Sequence, residues 1–481
     1  MRVALTPWRL IATAALVAGS VTGGVSLAAT SGSGVNAGHP YPSNAPTPDI
    51  ACDKGSMPEK EQGRAPLADY NDGRAAKGYY CNAREVSHFG VSGGYRVERY
   101  VDNHGHVCAY WDSTLLFPTD LSNQGTEGPG TYVLDMTNPA HPVLTDTLKT
   151  PAMMSPHESL RLNQKRGLLV ADMGYPSFQP GFVDVYDVRQ DCRQPVLESS
   201  SPVGVFGHES GFAPDGKTFY VDNPSGSLVA VDLTDPTMPT ILYSNFNIKP
   251  HGVSLSDDGK TLFMADLGSA SGLTILDVSQ IQERKPNPQV KQLAHLTWPN
   301  ISIPQNATPF VEGKHHYLLE TDEFGGGNAS SGQVGAARII NIDNLRHPYV
   351  ESNLRLAVNN HTGDTTDPGD SHVLQGYQAH YCSLPSRVDP NIVACSFIMS
   401  GLRVFDVRDP AHPREVAYFN KPVLPQTTAY KQGSFAMSAP AYDPARHDIW
   451  YTDGESGFWV VHLTPATGIK SFAARYFLPG N

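Results

Sequence analysis

The sequence predicts an all-β protein folded as a seven-bladed β-propeller of four-stranded antiparallel blades. Three observations lead there. Only 17% of the 481 residues are charged, while 44 are Gly and 39 Pro, a turn-rich composition that suits many short strands. A strand-like segment closing on an acidic residue returns along the chain, in seven copies. The copies recur at intervals of 45 to 66 residues, long enough for four short strands each.

From the N-terminus, Arg2 and Arg9 flank the start of an apolar run from Ile11 to Val25, and Ser26-Leu27-Ala28 offers small residues for cleavage. This predicts a signal peptide over residues 1–28. Gly19, Ser20, Thr22, Gly23 and Gly24 leave the run weakly apolar for a membrane span. The mature chain is therefore expected to be secreted or held at the cell surface, with no membrane span after cleavage. Residues 29–48, rich in Gly, Ser, Pro and Asn, read as a disordered linker. Residues 49–90 are expected to form an extension packing on the propeller, which occupies 91–475. The six cysteines suggest three disulfides in an exported chain, with Cys382 and Cys395 paired inside one hairpin. The formal charge of −12 argues against a nucleic-acid partner.

The repeats read TYVLDMTNPAHP, GFVDVYDVRQ, SLVAVDLTDPTMP, GLTILDVSQ, ARIINIDNLRHP, GLRVFDVRDPAHP and GFWVVHLTP. Their marker positions are Asp135, Asp187, Asp232, Asp277, Asp343, Asp406 and, in the last copy, His462. Within the fourth unit, His251 opens the inner strand, Asp258-Gly259 turns the chain, Thr261–Asp266 forms the second strand and Leu273–Val278 the third. Pro139, Pro236 and Pro410 fall just outside third strands, where no ladder donor is needed.

The segments GLTILDVS and GLRVFDVRDPAHP resemble the LVIVD-repeat family of bacterial exported propellers. The stretch KPHGVSLSDDGKTLFMAD is also similar to propellers of the selenium-binding-protein and lactonase type. The first resemblance implies an extracellular or surface location; the second implies metal-assisted thiol oxidation, although no Cys here matches the redox cysteine of that group. The likeness covers roughly residues 90–470 as a repeat pattern.

Aligning the units places one residue type repeatedly at the start of the inner strand: His157 in blade two, His208 in blade three, His251 in blade four and His380 in blade six. Blade five has Gln305 near this place, blade seven Ser438 and blade one Val97. Inner strands run the same way along the channel, so equivalent positions form a ring at one height. Four imidazoles on such a ring could hold one zinc, copper or iron ion, with Glu158 and Glu209 behind them as outer hydrogen-bond acceptors. A plain hydrogen-bonding or water-binding ring is the other reading.

The long loops at 117–130, 173–181, 323–335 and 358–372 are expected to overhang the same end. Asp364, Asp367 and Asp370 read as a solvated acidic loop, His104, His106, His315 and His316 as turn residues, and Asp172 and Asp266 as strand-end acids. No Ser nucleophile elbow, phosphate loop or HExxH is present. Two functions remain: a protein binding a small molecule or surface partner at the channel mouth, and a metal-dependent oxidoreductase or hydrolase.

Overall fold

The computed structural model describes residues 38–113, 128–174, 181–204, 207–299, 301–323, 334–361, 367–371, 376–427 and 433–470. The expected signal peptide, Asp364 and most of the four long loops lie outside the described residues. Seven antiparallel sheets form seven blades, each with four strands in up-and-down order. The inner strands are Glu98–Val101, Arg161–Asn163, Ser210–Phe212, Pro250–Leu255, Ile303–Glu312, Tyr381–Ser383 and Ala441–Asp443. Among the described residues no helix is long and apolar enough to cross a membrane.

Blades pack face to face because strand residues alternate between two apolar faces. Leu168, Val170, Val183 and Val185 of blade two interleave with Phe212, Phe219, Val221 and Val229 of blade three, all buried. Phe263, Ile275 and Leu296 of blade four meet Ala307, Leu318 and Ile340 of blade five in the same way.

The repeated aspartate ends the third strand and accepts the amide two residues on, tightening the turn. Asp135 Oδ1 accepts Thr137 N at 2.9 Å, Asp187 Oδ1 accepts Arg189 N at 2.8 Å and Asp277 Oδ1 accepts Ser279 N at 3.0 Å. Blade five corrects the expected marker. Its third strand is Ala337–Asn341, and Asn341 Oδ1, not Asp343, accepts the amide two residues ahead. Asn and Asp make the same turn, so an acidic marker misplaced this position by two residues.

The prolines lock neighbouring blades together. Ser199 of the blade-two outer strand donates to Pro236 O at 2.7 Å, and Ser352 of blade five donates to Pro410 O at 2.6 Å. Ser87 donates to Pro139 O at 2.5 Å, across the closure of the ring. Ser87 lies in Ala83–Phe89, which pairs antiparallel with Gly457–Leu463 and forms the outer strand of blade seven. An early segment thus completes the last blade, while Tyr79–Cys81 adds a fifth strand to blade six.

Three disulfides tie the structure: Cys52–Cys81 in the N-terminal segment, Cys108–Cys192 between blades one and two, and Cys382–Cys395. The last joins directly opposed residues of the first hairpin of blade six. All six cysteines are thereby used.

Candidate metal centre at the channel mouth

The four predicted histidines meet at one end of the channel. His157 and His208 ring centroids lie 4.5 Å apart, as do those of His208 and His251. Tyr95 closes the gap on the other side, 4.5 Å from the His157 ring and 5.2 Å from that of His380. Blade one therefore presents Tyr95 to the ring, where the alignment suggested Val97. His157 adopts φ 53°, a left-handed conformation that side chains disfavour.

Two of the imidazoles are fixed by the backbone. His251 Nδ1 lies 2.7 Å from Pro304 O, and His380 Nδ1 lies 2.8 Å from Met437 O. A carbonyl only accepts, so Nδ1 carries the proton and Nε2 faces inward. Both Nε2 atoms reach one carboxylate: His251 is 3.3 Å from Glu323 Oε1 and His380 is 3.2 Å from Glu323 Oε2. Glu323 ends the second strand of blade five, at the start of that blade's long loop. Sequence reasoning named it only as the first residue of that loop; its place at the mouth was the available signal.

Glu158 lies at the middle of the ring, 1% exposed. Its carboxylate is 3.2 Å from His208 Nδ1, 3.1 Å from His380 Nε2 and 4.0 Å from His157 Nδ1. Tyr381 donates to Glu158 Oε2 at 2.9 Å, and Gln305 donates to both Glu158 and the Tyr381 oxygen. Glu158 is thus among the ring nitrogens, not behind them. Glu209 turns the other way: it accepts hydrogen bonds from Arg96, Arg161 and Asn306, all buried. Arg96 also donates to Glu158 O at 2.9 Å and lies 4.7 Å over the Tyr381 ring. This buried layer forms the floor of the site. Gly252 permits it, because a Cβ there would sit 1.8 Å from Glu209 Oε2 and 2.1 Å from Gln305 O. Ser438, the blade-seven residue of the alignment, is buried ahead of the inner strand and accepts from Thr452 N.

The electrostatics divide the ring. Burial holds His157 down to about 4 and His208 well below the usual imidazole value, so both are neutral and can offer a lone pair. Burial also pulls on His380, but its hydrogen bonds to Glu158 and Glu323 prevail and raise it to about 10. Burial opposes ionisation of Glu158, yet the surrounding His208 and His380 hold it well below the usual carboxylate range. A proton on His380 therefore supplies positive charge between two carboxylates, the place a bound cation would take once that proton is displaced. His208 is the most open of the four, with 18% of its side chain exposed.

Other residues singled out in the sequence fall elsewhere. Asp367 is bound by Arg64 Nε at 2.5 Å and Leu67 N at 3.0 Å, while Asp370 lies 3.4 Å from His361. Asp102 receives the amides of His104, His106 and Cys192, consistent with a structural turn. Asp172 faces Val183 across the ladder and is fully buried, whereas Asp266 faces Gly272 one ladder step further along and is partly exposed.

No family model matches this chain, and no curated protein matches it. Among solved structures, it is similar to hydrazine synthase of Kuenenia stuttgartiensis, with 14% identity, TM-score 0.51, and coverage of 78% of this chain and 96% of that one. It is also similar to a periplasmic gluconolactonase of Pseudomonas aeruginosa, with 16% identity, TM-score 0.51, and coverage of 72% and 92%. At these identities the likeness is one of fold: the chain is a β-propeller among propellers of different activities.

Proposed function

We propose that this propeller is an exported, metal-dependent enzyme, with a transition-metal ion held at the channel mouth among Glu158, Glu323 and the four histidines. The observation that carries the reading is the paired clamping of His251 and His380: each gives Nδ1–H to a backbone carbonyl and turns Nε2 toward Glu323. Metal-ligating histidines are oriented in this way, because the outer hydrogen bond fixes the tautomer. The donor set is imidazole and carboxylate, which suits zinc, iron or copper. Such an ion supplies Lewis acidity toward a carbonyl or water, or electron transfer if it is iron or copper.

The protein's own groups divide the remaining work. Tyr381 and Gln305 orient Glu158, and the Arg96–Glu209–Arg161 layer closes the site from below. A small molecule would approach from the His208 side. Protein-thiol chemistry has no group to use, since every cysteine is in a disulfide. Three disulfides suit an oxidising, extracellular setting.

Metal analysis tests the reading. The purified protein is expected to carry zinc, iron or copper at one or more ions per chain, with a marked loss in His380→Ala whose circular dichroism is unchanged. No bound metal after reconstitution with each ion at neutral pH overturns it.

A further inference from the structure

We infer that the ring holds two metal ions bridged by Glu158, not one ion shared by four histidines; this rests on the metal-centre reading above. The donors fall into two groups. His157, His208 and Glu158 each offer an atom within 4.8 Å of the others, and so do Glu158, Glu323 and His380. The two groups share only Glu158. Nitrogen and oxygen donors sit about 2.0–2.2 Å from such an ion, so two ligands of one ion are at most about 4.4 Å apart. Two compact groups meeting at one carboxylate therefore describe two positions.

Glu158 is arranged to serve both. Its Oε2 lies 3.2 Å from His208 Nδ1, and its Oε1 lies 3.1 Å from His380 Nε2 and 4.0 Å from His157 Nδ1. Glu323 extends the second position, with Oε2 toward His380 and Oε1 toward His251. The histidines differ to match. Those of blades two and three bring Nδ1 to Glu158, while those of blades four and six bring Nε2 to Glu323. The first position thus receives two imidazoles and one carboxylate, and the second receives His380 with two carboxylates while His251 reaches it only through Glu323, each a donor set for a divalent first-row ion. Paired ions of this kind can hold one substrate oxygen between them and stabilise charge on it from two sides.

The experiment is zinc stoichiometry on the full-length folded protein, stripped with chelator, reloaded with zinc alone, washed and measured by mass spectrometry. Wild type is expected to hold two zinc ions per chain, and His208→Asn and Glu323→Gln one each. If His208→Asn fails to fold by circular dichroism, His157→Asn probes the same position. One zinc in wild type overturns the second position while leaving the metal-centre reading intact. So does loss of both ions in His208→Asn, or a count of two that neither variant lowers. No zinc in wild type overturns the paired positions, and the metal-centre reading falls with them when iron and copper reloaded in the same way also fail to bind.

Discussion

His380 Nε2, at the entrance to blade six, lies 3.1 Å from Oε1 of Glu158, a residue of blade two. The propeller axis is what brings them together, and Tyr381, the next residue after His380, holds the same carboxylate through its hydroxyl. Tyr381→Phe removes that hydroxyl and keeps the ring over which Arg96 sits. The variant is expected to fold normally and to bind metal about 10–100-fold more weakly, as outer hydrogen-bond partners of metal ligands do. Competition against a chromophoric chelator measures the change, and wild-type affinity would count against Tyr381 as a positioning residue.

Gly252→Ala tests the floor. The added methyl meets Glu209 and the Gln305 carbonyl well inside contact distance. Overpacking of this kind costs about 1–3 kcal/mol. Denaturant unfolding should show that loss together with weaker metal binding, because Gln305 also holds Glu158.

Ring closure gives a third prediction. Deleting residues through Phe89 removes the outer strand of blade seven and bares the edge of Gly457–Leu463. The truncated chain is expected to aggregate or melt well below wild type. Ser87→Ala, which removes only the hydroxyl bond to Pro139, should cost about 1 kcal/mol. Equal melting temperatures for wild type and truncation would contradict this closure.

Asp172 supplies a pH dependence. Its carboxyl is fully buried, and burial pushes its pKa well above the carboxylate range. The folded state therefore binds this proton more tightly than the unfolded chain. The associated stability is complete below about pH 4, the unfolded value, and is lost as pH rises toward the folded value. Asp172→Asn cannot ionise, so its stability relative to wild type should increase from pH 4 to pH 8. A gap that stays constant with pH contradicts the assignment.

The fold was readable because six blades repeat the same solution: an Asx turn after the third strand and, in several blades, a proline docked on the preceding outer strand. The blade-five marker alone was placed two residues late, because Asn341 makes the turn that Asp makes elsewhere. Closure escaped because Ala83–Phe89 carries no repeat marker and pairs with a strand near the other end of the chain. The four histidines were legible as a ring because equivalent inner-strand positions share a height. Which carboxylate joins them was not. Glu158 and Glu209 occupy equivalent places in PHES and GHES, yet Arg96 and Arg161 draw Glu209 away from the ring while His208 and His380 hold Glu158 in it. Those arginines come from other parts of the sequence, and only packing decides between the two glutamates.

The central claim is that Glu158 and the surrounding histidines form a metal centre. Its most direct test is a crystal structure of the metal-loaded protein with anomalous difference maps collected on both sides of the metal's absorption edge. The account predicts edge-dependent density within bonding distance of the Glu158 carboxylate and of at least two of His157, His208, His251 and His380. A ring filled only by water, with the histidines still bound to Glu158 and Glu323, would contradict it.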